Sequence, residues 1–166
     1  GLPEHPVRVW EPYQMLGEVE TDLMDALGTD VEGISGRGTM FGFPQEGWHE
    51  WRAPWGQVML VPAGFRPREE PSGDVYLFPE GDVSVPPSGH LPAGGYFFDA
   101  IIRQEPIDEA KLDPADNCEE FKPLAPADIA HWERAVARVR SSPRAIHASF
   151  GGTGFGDIAL VPAVFL

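Results

Sequence analysis

The sequence predicts an α/β fold that carries a β-rich insert. Three observations point there. Amphipathic helical periodicity followed by a short apolar run occurs twice, over residues 13–39 and again over 126–150. Each run ends in a Gly-rich polar loop, Ser35-Gly36-Arg37-Gly38-Thr39 and Gly151 to Gly156. Between the two, residues of about 40 to 105 are aromatic or β-branched in short runs cut by Gly and Pro, the signature of turns and short strands. Repeated helix–strand–loop units are the building block of a parallel sheet or barrel.

In the first unit, Val7 to Trp10 is a β-like run, and Pro12 suits the first position of a helix, where its missing N–H costs nothing. From Tyr13 to Leu27, Met15, Leu16, Val19, Leu23, Met24 and Leu27 recur at three- and four-residue steps among acidic residues, which predicts one helix closed by Gly28. Asp30 to Ile34 then predicts a strand. In the insert, Gln57 to Pro62 and Asp74 to Pro79 are strand candidates, expected to pair as a hairpin across a loose linker. In the second unit, Pro126 to Ser141 predicts a helix with Ile129, Trp132, Val136 and Val139 on one face and His131 toward solvent. Arg144 to Phe150 predicts a strand.

At 166 residues the chain is long enough for one domain with a real core, and 42% hydrophobic residues is ordinary for a globular protein. The net charge of −14 argues against nucleic acid and against anionic membrane surfaces, both of which need excess Lys and Arg. No run approaches the length of a membrane span, and residues 1–20 lack the apolar core of a signal peptide. The single cysteine, Cys118, cannot form an internal disulfide, so a cytoplasmic location is expected.

The Gly-rich run Gly151-Gly152-Thr153-Gly154-Phe155-Gly156-Asp157 is the strongest local signal. Two readings stand. It is a tight turn whose Asp157 caps the next helix, or a loop whose backbone approaches a ligand closely. On the second reading Asp157, Thr153 and Gly154 are substrate-binding candidates, with Arg37 from the first loop and His147 from the strand before the run. No catalytic residue stands out. The five histidines lack metal-ligand spacing, so no metal site is assigned. Trp48, Trp51, Trp55, Phe41, Phe43 and Tyr76 read first as the core of the β element and second as a stacking surface.

Four stretches, Tyr76 to Asp82, Pro86-Pro87-Ser88, Gly94 to Asp99 and Gly151 to Asp157, resemble the uroporphyrinogen decarboxylase-like proteins, in particular their methyltransferase-related branch. The resemblance runs from about Val7 to Leu166. It implies a partial (β/α)8 TIM-type barrel, one domain over 1–166 with the β-rich insert, and a site at the carboxyl ends of the strands. It implies methyl transfer in a corrinoid-linked system, with a small-molecule substrate or a corrinoid protein as partner. Zinc and a corrinoid are implied for the full-length parent, the zinc ligands falling beyond Leu166. The alternatives are a tetrapyrrole decarboxylase, with Arg37, Arg103 and Arg144 as candidate cations, and a non-catalytic binding or assembly module. The decarboxylase's N-terminal Arg-rich motif is absent, and that enzyme has no such insert, which counts against decarboxylation. A partial barrel is also expected to self-associate through its open edges.

Overall fold

A computed structural model describes residues 1–103, 108–111, 113 and 123–149. These residues do not form a (β/α)8 barrel. They form three small antiparallel sheets and one parallel strand pair, with two α-helices. A barrel needs a helix after each strand, yet among the described residues seven strands lie between the two α-helices. The chain divides into two compact units, one built from Gly1–Leu23 and Gly38–Gln104, the other from Met24–Arg37 and the described residues after 105.

The first unit holds the β-rich stretch, and this stretch carries a core of its own. Strands β1 (Val9–Glu11) and β2 (Leu16–Gly17) pair antiparallel. Strands β4 (His49–Arg52) and β5 (Val58–Val61) form a hairpin. A four-stranded sheet follows, in the order β6 (Arg68–Glu69), β7 (Val75–Leu77), β8 (Gly89–Leu91), β9 (Asp99–Ala100). Along β7 and β8 alternate residues point inward: Val75, Leu77, Gly89 and Leu91 are buried, whereas Tyr76 and His90 are half-buried on the other face.

The hairpin expected between residues 57–62 and 74–79 does not form. The first run pairs instead with His49–Arg52 across the Trp55-Gly56 turn, where Gly56 sits at φ 91° and donates to the Ala53 carbonyl at 2.8 Å. The presumed linker supplies β6, closed onto β7 by a turn in which Gly73 (φ 92°) donates to Glu70 at 2.9 Å. Each strand found a partner nearer in sequence, at lower loop-closure entropy.

The helix expected over 13–27 is also shorter, with α1 spanning Thr21–Leu27. The Glu11 carboxylate accepts the Tyr13 and Gln14 N–H groups at 2.9 and 2.7 Å. Met15 lies at φ 54°, and Leu16–Gly17 belongs to a strand. Of the apolar stripe that suggested one long helix, only Met24 is buried in α1, while Leu16, Val19, Leu23 and Leu27 are exposed.

Phenylalanines fill the core of the first unit. Phe41, Phe43, Phe65 and Phe98 are each at most 1% exposed. Phe41 stacks on Phe43 at 6.1 Å and meets Phe98 edge-on at 6.0 Å; Phe65 meets Phe98 edge-on at 6.1 Å. Trp51 and Trp55 pack against this cluster, so the aromatic stretch is mainly core. Fully burying one such side chain contributes about 1.5–3 kcal/mol.

The second unit holds the parallel pair β3 (Val31–Ser35) and β10 (Ala145–Ser149), in register from Val31↔Ala145 to Ser35↔Ser149. Helix α2 (Pro126–Val139) contacts β3. Pro126 opens it, and the Asp128 carboxylate accepts the Ala125 N–H at 3.1 Å. Arg144 ties the start of β10 to the turn before β3, donating to the Thr29 carbonyl at 3.1 Å and pairing with Asp25.

The glycines of the first unit set a sharp stability test. A Cβ on Gly81 (φ 73°) would lie 2.5 Å from the Gly64 carbonyl oxygen, whereas one on Gly56 meets nothing within 4 Å. Both positions strain an alanine backbone, so the difference isolates the clash. Gly81→Ala should cost roughly 1–3 kcal/mol more than Gly56→Ala in urea denaturation. Equal losses would mean that residues 64 and 81 do not pack this closely.

Candidate functional site at the carboxyl ends of the parallel strands

In parallel sheets, ligands bind outside the carboxyl ends of the strands, because the following loops converge there. The in-register pairing brings the ends of β3 and β10, Ser35 and Ser149, side by side. The Ser35–Thr39 loop leaves one, and the chain that leads to Gly151–Asp157 leaves the other. Thr153, Gly154, Asp157 and Cys118 lie outside the described residues.

Arg37, two residues beyond β3, reaches the first turn of α2. Its Nη1 is 3.6 Å from Asp128 Oδ1, with the two side chains 28% and 32% exposed. His131, one turn further along α2, is half-buried rather than directed at solvent, and its Nε2 lies 2.8 Å from the Ser35 carbonyl oxygen. His131 and Asp128 were the residues missed by periodicity. The signal available was their i, i+3 spacing at a helix start, which puts them on one face.

His147 does not join this group. It stands opposite Gly33 in the middle of β10 and is exposed, with no barrel interior to enter. The other candidate arginines are held elsewhere. Arg103 donates to the Pro86 carbonyl and to the buried Ser88 Oγ, both at 2.9 Å, and Arg144 makes the structural tie above. Among the described residues no three His, Cys, Asp or Glu side chains converge to hold a metal. No helix among them is long and apolar enough to cross a membrane.

In the first unit, the residues of a hydrolytic triad meet in the wrong order. Asp74 Oδ2 accepts from Ser72 Oγ at 2.6 Å, and Asp74 Oδ1 is 3.1 Å from His90 Nε2 and accepts the Ala93 N–H at 3.1 Å. A triad needs histidine between serine and aspartate. Here aspartate is the hub, so the serine is not activated and the arrangement joins two turns. On the same face Arg68, Tyr76, His90 and Asp99 form a cross-strand row, with the Tyr76 and His90 rings stacked at 4.9 Å. Such rows stabilise sheets.

No protein-family model matches the chain, and no curated protein or solved structure matches it either.

Two outcomes test these local assignments. The hydrogen bonds from Ser72, His90 and Ala93 hold the Asp74 carboxyl below its ordinary range. A depressed folded-state pKa adds stability above the unfolded value and loses it as pH falls through the folded one. Asp74→Asn should therefore lower the unfolding temperature near neutral pH, and the gap to wild type should close below about pH 4. A gap that persists unchanged in acid would refute the assignment. Arg37→Gln should cost no more than about 1 kcal/mol, because the pair is partly exposed, and less at 1 M salt. A larger, salt-insensitive loss in denaturation would make Arg37 a structural residue.

Proposed function

We propose that the chain is a portion of a uroporphyrinogen decarboxylase-like enzyme that transfers a methyl group to a small-molecule thiol in a corrinoid-linked system. The observation that carries this reading is the coincidence of the two strand ends, which brings the Arg37 loop to the point where the chain enters the Gly-rich run. The sequence resemblance supplies the chemistry. A corrinoid, when bound, supplies the methyl group. The chain's own part is to hold the acceptor at the strand ends, with Arg37 and Asp128 beside it. The barrel is not part of this proposal, and fold by itself would not decide it.

The decarboxylase alternative draws less support. A tetrapyrrole with several carboxylates needs uncommitted cations, but Arg37, Arg103 and Arg144 each already bond to protein groups. The binding-module alternative has one observation of its own: Tyr96 and Phe97 are 64% and 56% exposed, and Tyr96 contacts the Trp55 ring at 5.3 Å. Exposed aromatic clusters of this kind mark interaction surfaces.

The deciding experiment mixes the protein with methylcobalamin and 2-mercaptoethanol and follows the methylcobalamin spectrum. Protein-dependent loss of methylcobalamin with formation of the methyl thioether is expected. No turnover, together with loss of a partner's binding on Tyr96→Ala, would favour the binding module.

A further inference from the structure

Strand β10 presents an unguarded edge. Among the described residues its only strand partner is β3, and all of Ala145–Ser149 is exposed. Parallel strands are ordinarily covered on both faces, and a sheet of fewer than three strands is marginal by itself. The Ala145 N–H donates to the Asp30 carbonyl at 2.9 Å, on the β3 side. Backbone groups alternate sides along a strand. Ala145, His147 and Ser149 therefore turn theirs toward β3, whereas Ile146 and Ala148 turn theirs to the open edge. Such edges are normally blunted by a charge, a proline or a bulge. The run Ala145-Ile146-His147-Ala148-Ser149 contains no Asp, Glu, Lys, Arg or Pro, and its register with β3 is unbroken. The opposite edge, on β3, is occupied at its end, because the outward Ser35 carbonyl accepts from His131 Nε2 at 2.8 Å.

We propose that β10 is a self-association edge whose occupant is β10 of a second copy of this chain, antiparallel about a twofold axis at His147. Two properties of the strand select a second copy. The first is charge. At a net −14, two copies repel over most of their surface, and an uncharged strand is where they can meet. The second is symmetry. His147 is the middle residue of β10, so a twofold axis there sets Ala145 against Ser149 and Ile146 against Ala148 of the second copy. Small side chains face each other in the first pairing, and in the second Ala148 leaves room for the branched Ile146. Ile146 and Ala148 then exchange both N–H···O bonds with their counterparts, which satisfies the outward groups of the strand. The two His147 residues meet as a non-hydrogen-bonded pair, with Cα atoms about 4.5 Å apart. The two parallel pairs thereby become one mixed sheet, past the size at which a sheet is marginal.

Sedimentation velocity on the full chain should show a concentration-dependent dimer. A monomer at the highest soluble concentration overturns the proposal. In a Cys118→Ser background, His147→Cys should crosslink into a covalent dimer under mild oxidation, because a Cα separation of about 4.5 Å lies within disulfide range. Ile146→Cys should not, since its counterpart is Ala148. No crosslink at His147→Cys, or equal crosslinking of the two variants, refutes the β10 pairing. Ala148→Pro removes an outward N–H and leaves the bonds to β3 in place. Proline is tolerated on an edge strand whose N–H faces solvent, so the monomer should stay folded by circular dichroism. Symmetry loses that bond twice, and dimer affinity should fall about 10-fold or more. A folded variant with undiminished affinity also refutes the pairing, and if the variant does not fold the cysteine pair decides.

Discussion

The closest constraint in this molecule is the contact of bare backbone with aromatic rings. A Cβ at Gly64 would fall 2.3 Å from Phe43 Cβ, and one at Gly89 would fall 2.7 Å from the Phe41 ring. Phenylalanine rings thus lie directly on glycine backbone at two places in the first unit. The four-stranded sheet depends on this, because Gly89 is the inward residue of β8 between Leu77 and the Ala100 position of β9. Short strands bury little area each. The rings they share join them into one core, with Phe41, Phe43, Phe65 and Phe98 all buried together.

The second unit is held differently. Its two strands carry few buried residues: all of β10 is exposed, and only Ile34 of β3 is buried. Polar ties do more of the positioning there. Arg144 fixes the entry of β10 against Thr29 and Asp25, and His131 fixes α2 against the exit of β3. One tie acts at each end of the parallel pair. The bond from His131 to the Ser35 carbonyl thus joins the first half of α2 to the last residue of β3.

How much of this was legible varied with the kind of signal. The strand at 31–35, the helix at 126–139 and the strand at 145–149 were readable because punctuation and periodicity agreed: Gly28 before, Pro126 at the helix start, Pro143 after it. Periodicity overstates the helix over 13–27 because a local competitor intervenes. Glu11 bonds two backbone N–H groups just past Pro12 and turns the chain. The hairpin was misread because strand propensity marks runs but not partners. The barrel does not form because the six strands β4 to β9 pair antiparallel among themselves. In the candidate site, Arg37 was visible from its loop, but His131 was assigned to solvent because a helical wheel cannot show that a strand end lies beside it.

By itself the sequence determined the local alphabet: acidic surface, aromatic core material, one parallel-type helix–strand repeat, and the Gly-rich loop after the strand at 31–35. Those follow from composition and short-range sterics, which need no knowledge of distant residues. Only the tertiary structure decided which strands pair, that the aromatic stretch is a packed unit rather than an appendage, and that Ser35, Arg37, Asp128 and His131 meet. Such contacts include that of Ser35 with His131, 96 positions apart. Their energies depend on simultaneous burial and on bond geometry, and neither is encoded in the spacing of residues along the chain.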